Sequence, residues 1–443
     1  MSKRAIVWVI AYCTGIALSV RDPIFALLSY MLDYYAHPPL KWWGEHLPDL
    51  RWSLVAGLAI LGAYLLKGGS LFDRRILGHP QTKWLLALVG VTLLVTPFAQ
   101  STDESMHYVA RLARLVMLYL LIVGVVKKPE HFRWVVLLLV LGSLTWGIDA
   151  FIDPDRRGGR LRRVGGTDSL NDNSAAAQLL IVLPFIALYF LRGRLWEKGV
   201  ALVTAPFVMN TIILCNSRGA TLAAGVAAAT ALTLVKGKLR LQILGAVIAA
   251  AVMAYALVDP QFVQRQMTLT HEEDQRDTSS QDRLTSWKAA LHLIQDHPFG
   301  AGGGGFELLS PEYIPDIVAR HGGELRSVHN TYLAIATDWG LPGFACFAMF
   351  LYTTFRALRD LRRRTRDPRI YLESAALQLS LTAFLAAAMF LNRQYAEALY
   401  WMAALSTALV NIQRSVEEAP AKARAPAAAE EAGAERAEPV DAR

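Results

Sequence analysis

Residues 326–333 read Arg326-Ser327-Val328-His329-Asn330-Thr331-Tyr332-Leu333. They close a polar segment, 259–329, and their last members open a long apolar run. A second apolar run ends where that polar segment begins. An imidazole is thus placed where a wet face meets a lipid-embedded scaffold. Such a boundary suits chemistry on a substrate that is half lipid and half water-soluble.

The 443-residue chain as a whole is 54% hydrophobic, which a soluble protein of this length rarely is. A helix needs about 20 apolar residues to cross a hydrocarbon core of about 30 Å. Twelve candidate spans are legible: roughly 5–20, 52–66, 84–99, 108–126, 132–152, 175–191, 197–214, 218–235, 239–258, 330–355, 370–391 and 395–412. Residues 23–35 are apolar but too short to span; they extend the first helix or re-enter. The expected fold is all-α, a polytopic membrane protein of about twelve transmembrane helices. The first apolar segment lacks a convincing small-residue cleavage site and reads as a retained anchor.

Orientation follows Lys and Arg in short loops. With Lys3 and Arg4 inside, the inner loops carry Lys67/Arg74/Arg75/Lys83, Lys127/Lys128/Arg133, Arg192/Arg194/Lys198 and Lys236/Lys238/Arg240. The last inner loop holds Arg356, Arg359, Arg362, Arg363, Arg364, Arg366 and Arg369. An even span count returns the C-terminus to the cytoplasm and puts 259–329 outside. One outer loop, 153–174, breaks the rule with Arg156, Arg157, Arg160, Arg162 and Arg163. Either that cluster binds an anionic partner or a loop of this length is translocated whatever its charge.

Four units follow: transmembrane helices over 1–258, a mainly helical outer subdomain over 259–329, further spans over 330–414 and a tail over 415–443. In the outer subdomain, Leu284, Trp287, Leu291 and Ile294 recur near helical spacing, predicting an amphipathic helix over Asp282–His297 that Pro298 ends. Residues 300–305, Gly-Ala-Gly-Gly-Gly-Gly, read as a flexible turn, and a second short helix is expected around Glu312–Arg320. From about 415 the chain is Ala, Glu, Pro and Arg, too poor in large apolar residues to bury itself, so the tail is expected to be disordered. Cys13, Cys215 and Cys346 have neither metal spacing nor a disulfide framework and read as small buried apolar side chains.

Asn216-Ser217-Arg218-Gly219-Ala220 separates two spans with almost no loop. An Arg in or beside a span is a functional-site candidate. At a helix start it adds to unpaired N–H groups and the positive helix end, which together favour an anion such as phosphate. The plainer reading is a snorkelling interfacial Arg. His329 titrates near pH 6.5 when free, which suits a general base at neutral pH. Its plainer reading is a helix-capping or hydrogen-bonded His.

Taken together, Ser217-Arg218-Gly219-Ala220, Arg283-Leu284 with Trp287, His297-Pro298-Phe299-Gly300 with Gly302, and His329-Asn330-Thr331-Tyr332-Leu333 followed by Gly340 resemble the O-antigen ligase and polymerase superfamily over about 170–400. The resemblance implies a metal-independent, inverting glycosyltransferase of the GT-C type, without a cofactor, in the bacterial inner membrane. Its donor would be a glycan on undecaprenyl diphosphate at the periplasmic leaflet, and its acceptor a sugar hydroxyl of lipid A–core. His329 would be the base. Arg218 with a second Arg would hold the diphosphate. Arg265, just beyond a span, is preferred to Arg283 for that second role, and Asn330 beside the base is a further candidate donor contact. Arg156, Arg157, Arg160, Arg162 and Arg163 would draw in a phosphorylated acceptor.

Close rivals are an O-antigen polymerase and a protein O-oligosaccharyltransferase, which share the chemistry and differ in product. A secondary transporter would also have about twelve spans, but no clear repeat is present and the candidate polar groups sit at one face. A purely structural scaffold would make their common placement a coincidence. Nothing in the sequence suggests a nucleic-acid partner.

Overall fold

In a computed structural model, residues 2–435 are described apart from 49, 153, 155, 158–159, 162–163, 170, 236 and 258–277. The described chain is helical except for one antiparallel hairpin of two-residue strands, Arg156–Arg157 with Arg160–Leu161. Each of the twelve expected spans falls largely on a helix. Among the described residues, seven helical segments are both long and apolar enough to cross a membrane: Pro80–Phe98, Thr102–Val125, Pro129–Ile152, Asp172–Arg192, Leu195–Leu214, Thr331–Arg364 and Pro368–Phe390. The chain is therefore a polytopic all-α membrane protein. Trp52–Leu66 and Arg218–Leu234 are apolar but shorter. Residues 23–35 do not extend the first helix. They form a separate helix, Ile24–Ala36, that buries Ile24, Leu27, Met31 and Tyr34.

Helices in chain order are α1 Lys3–Leu18, α2 Ile24–Ala36, α3 Trp52–Leu66, α4 Arg74–Leu77, α5 Pro80–Val95, α6 Thr102–Val125, α7 Pro129–Ile152, α8 Asp172–Leu180, α9 Leu183–Arg192, α10 Leu195–Leu214, α11 Arg218–Leu234 and α12 Lys238–Leu257. They continue as α13 Thr278–Asp296, α14 Gly305–Tyr313, α15 Pro315–Arg320, α16 Thr331–Arg364, α17 Pro368–Ala387 and α18 Glu397–Glu435. α5 packs along α16, α11 along α17, α10 along α7, and α18 against α6. The first turns of α18 are the most enclosed part of the bundle, with Leu399, Met402, Leu405 and Leu409 all fully buried. α18 then runs on to Glu435, through the stretch expected to be disordered. Ala and Glu are strong helix formers, which favours a helix through this stretch.

The outer subdomain has its own core: Ala289, Ala290 and Leu293 of α13 meet Phe306, Ile317, Val318 and Val328. The expected amphipathic helix is present, but it buries a different stripe. Leu284 and Leu291 are exposed, while Ser286, Ala289, Ala290 and Leu293 are buried. Small residues on that face let α13 lie close to α16, against which it packs. Two short helices, α14 and α15, stand where one was expected.

The glycine run is not the flexible turn its composition suggests. Residues 301–305 are buried. The N–H groups of Ala301 and Gly302 donate to the carbonyls of Thr337 and Asp338, both at 2.9 Å, and Leu341 N–H donates to Pro298 O at 2.9 Å. α16 breaks at Gly340, where φ is 68° and ψ −174°. The run thus seats in the break. On its other side Gln100 N–H donates to Ala301 O at 2.9 Å, and Gly303 N–H to Ser105 Oγ at 3.0 Å. A Cβ at Gly302 would stand 2.2 Å from that of Ala99, so the close approach requires glycine there. This strap fixes α13 relative to α16.

Candidate active site

α10 ends at Leu214, and three residues later α11 begins with Arg218 as its first residue. Asn216 makes the reversal in a left-handed conformation, φ 47°. Ser217 caps α11, its Oγ accepting from Ala220 N–H at 3.3 Å. Asn216 is buried and, among the described residues, its side-chain oxygen has no hydrogen-bond partner. Gly219 lets the ring of Phe390, in the turn after α17, approach to 3.1 Å of where a Cβ would stand. Phe390 in turn lies 6.1 Å, centroid to centroid, from Trp287 of α13.

α13 brings Arg283 to the same place. Arg218 and Arg283 line one small pocket, closed by Phe390 and Leu391 and joined by Asn173 from the first turn of α8. Arg218, Arg283 and the first turns of α8 and α11 therefore border one space. Such a setting can hold an anion. Of the two residues considered for the second Arg, the weaker by sequence is the one found here. Arg265 lies outside the described residues.

His329 stands just before α16 with φ 51°, a conformation uncommon for a residue with a Cβ and concentrated at functional sites. Its Nδ1 is 3.4 Å from Ser327 Oγ. Burial, with the guanidiniums of Arg283 and Arg326 adding to it, pushes its pKa down from the ordinary value to about 4. The imidazole is therefore neutral at physiological pH, with a lone pair available to take a proton.

Asn330 is the cap of α16: its Oδ1 accepts from Tyr332 N–H at 2.9 Å and Leu333 N–H at 3.1 Å. Its oxygen is thus committed to the helix. The Asn330 N–H donates to Asn392 Oδ1 at 3.0 Å, Thr331 Oγ1 donates to Leu391 O at 2.6 Å, and Arg393 N–H donates to Thr331 Oγ1 at 2.7 Å. Leu391 is itself a wall of the arginine pocket. The His329 turn and the pocket are therefore laced together through 391–393.

The same connector reaches the arginine-rich loop. Arg393 donates to the carbonyl of Asp168 and, at 3.0 Å, to Ser169 Oγ; Tyr34 OH donates to Asp168, whose other oxygen accepts from Glu397 N–H at 2.9 Å. Burial alone would raise the Asp168 carboxyl, but Arg393 and the donated hydrogen bonds outweigh it and hold it below its ordinary range. Of the five loop arginines, Arg156, Arg157 and Arg160 lie on the hairpin, whose Leu161 is fully buried. Arg162 and Arg163 lie outside the described residues.

Sequence reasoning missed Asn173, Phe390, Asn392 and the Asp168–Arg393 pair. Asn392-Arg393 at the end of a span did carry a signal, an arginine beside a membrane helix. Asn173 carried none beyond lying near the N-cap of α8.

A family model described as O-antigen ligase matches residues 201–348. The matched stretch holds Arg218, Arg283, the glycine strap and His329-Asn330, and it stops short of Asn392-Arg393. No curated protein matches the chain.

Proposed function

We propose that this protein, matched over residues 201–348 by a family model described as O-antigen ligase, transfers a glycan from a membrane-bound undecaprenyl diphosphate to a sugar hydroxyl of lipid A–core at the periplasmic face. The convergence of Arg218 and Arg283 on one pocket, with His329 close enough for Arg283 to depress its pKa, carries this reading.

His329 takes the proton of the acceptor hydroxyl while that oxygen bonds to the anomeric carbon of the donor sugar. The bond from that carbon to the diphosphate oxygen breaks on the opposite face, so configuration inverts and undecaprenyl diphosphate leaves with the electron pair. Arg218 and Arg283 meet the charge that grows there. Positioned donors of this kind contribute about 3–4 kcal/mol each, or about 100- to 1000-fold in rate. General-base assistance adds about 100- to 10,000-fold.

A pKa of about 4 is low for a base at neutral pH, and bound donor would offset part of that depression. Burial is its largest cause, but Arg283, one of the two cations that add to it, lines the pocket a diphosphate would enter and would be neutralised there. Donor binding then raises the basicity of His329 at the moment it is needed. The loop that carries these arginines, 153–174, is joined at Asp168 and Ser169 to Arg393 of the connector beside His329, which suits capture of a phosphorylated acceptor.

The test is to incubate the purified protein with a lipid-diphosphate glycan and, separately, lipid A–core, the same lipid-linked glycan as acceptor, and protein acceptors. Glycosylated lipid A–core supports the ligase. A lengthened lipid-linked glycan would instead make it a polymerase, and a glycosylated protein an oligosaccharyltransferase.

A further inference from the structure

A second cavity lies at the far end of the bundle from the arginine pocket. α17 measures the separation. Its first residue, Pro368, lines the second cavity, and its last, Ala387, lines the arginine pocket. Twenty helical residues rise about 30 Å at about 1.5 Å each, the thickness of a hydrocarbon core. Trp134 and Trp196, at the start of α7 and α10, are both well exposed at this end, as tryptophans at a membrane–water interface are.

The cavity has a volume of about 260 Å³ and sits between α7, α9 and α17. Its wall is mostly apolar, built by Phe132, Val136, Phe185 and Leu188. Its mouth is charged. Arg369 is held by Glu373 at 2.9 Å and lies 3.6 Å from Glu197, whose other oxygen accepts from Arg194 N–H at 2.6 Å. Those two carboxylates are thus engaged by one guanidinium and a helix start. Arg133 and Arg192 remain, leaving three guanidiniums against two carboxylates around the space.

Two buried polar groups go unanswered there. Tyr189 is 4% exposed, lines the cavity, and its hydroxyl has no hydrogen-bond partner among the described residues. The Nε of Arg133 is buried and equally without one. An unpaired buried polar group is costly, so two in one cavity point to a missing acceptor.

We propose that this cavity binds the phosphate of an anionic phospholipid, with the first methylenes of its tail against Phe132, Val136 and Phe185. Arg133 and Tyr189 donate to the phosphate oxygens, and Arg192 supplies countercharge from the rim. The site is separate from the transfer chemistry and sits in the opposite leaflet.

The full-length protein would be placed in nanodiscs of equimolar phosphatidylglycerol and phosphatidylcholine, and the lipids it keeps on release counted by native mass spectrometry. Wild type should retain phosphatidylglycerol over phosphatidylcholine by about tenfold, a preference of about 1.4 kcal/mol. The Arg133→Ala/Arg192→Ala variant should fall to parity. Tyr189→Phe, which keeps the packing and removes only the hydroxyl, should lose about half or more of the preference, so the proposal stays testable if the double variant misfolds. Equal retention of the two lipids by wild type, or an unchanged preference in Tyr189→Phe, would overturn it. A parallel arm offers inorganic phosphate in lipid-free detergent. Binding of phosphate alone that Tyr189→Phe abolishes would assign the cavity to the free anion and overturn the lipid.

Discussion

The backbone N–H of Asn330 donates to the side-chain oxygen of Asn392 at 3.0 Å, across 62 residues of sequence. That bond holds the left-handed turn at His329 to the connector between α17 and α18, and Leu391 beside it walls the arginine pocket. The His329 turn and the arginine pocket therefore share one support.

Asn392→Ala removes the acceptor and leaves a buried N–H unpaired, at a cost of about 1–3 kcal/mol in local order. Asn392 is assigned no contact with substrate. Its loss should lower kcat about tenfold with little change in KM for the donor, and Asn392→Asp, which keeps an acceptor oxygen, should recover most of the rate. Initial-rate kinetics on both variants checks this. An equal defect in the two would show that the side chain acts through something other than that bond.

His329 yields a pH prediction with a definite sign. Its pKa is lowered in the folded protein to about 4, so the neutral, base-competent form persists as pH falls and is lost only as pH drops through that value. Arg326→Ala removes one of the cations responsible and should move the pKa up toward its ordinary value of about 6.5. The acidic limb of kcat/KM then shifts to higher pH. In the wild type, the limb of kcat should lie above that of kcat/KM, because kcat reports the complex in which diphosphate faces Arg283. The depressed pKa also contributes to stability above about pH 6.5, and that contribution fades as pH falls toward the folded value. His329→Ala should lose about 100- to 10,000-fold in transfer while still binding donor. Coincident limbs in the two profiles would separate Arg283 from the bound diphosphate.

Arg218 and Arg283 are predicted to act as a pair on one group. Alanine at either should cost about 100- to 1000-fold in kcat/KM. Lysine keeps the charge but not the planar fork, and should recover only part of the loss. Because the two share a ligand, the double variant should fall well short of the product of the single losses, which a double-mutant cycle measures. Fully multiplicative losses would place them on different substrates or different steps.

The helical membrane body was legible because apolar runs near the length of a bilayer leave few other folds open. The candidate site was legible in part, because Arg218 and His329 sit at helix starts that sequence alone can locate. The placement of Arg283 beside Arg218 was not, since it depends on which face α13 buries. Leu284 and Leu291 suggested one stripe, while the helix buries Ser286, Ala289, Ala290 and Leu293 instead. Close packing of small residues leaves almost no signal in hydropathy. Asn173 and Asn392 were invisible for a related reason. Each reaches the site from another element, and only long-range contacts bring them there.

The glycine strap is where that hidden packing is most exposed to test. Composition alone makes 300–305 a hinge, and a hinge tolerates alanine. The structure makes it a wedge, seated in the break of α16 on one side and against α6 on the other. A Cβ at Gly302 would stand 2.2 Å from Ala99 and 2.5 Å from Ser105 Oγ, and φ there is 94°, where a side chain is strained regardless of space. Gly302→Ala should therefore cost about 1–3 kcal/mol in stability and loosen α13, carrying Arg283 away from Arg218. Its signature is a lowered melting temperature together with weaker donor binding. Gly323→Ala supplies the comparison, since it also has positive φ but nothing within 4 Å of a Cβ. It should show the backbone strain without the loss of donor. A Gly302→Ala protein that melts and binds like wild type would return the strap to the status of a hinge.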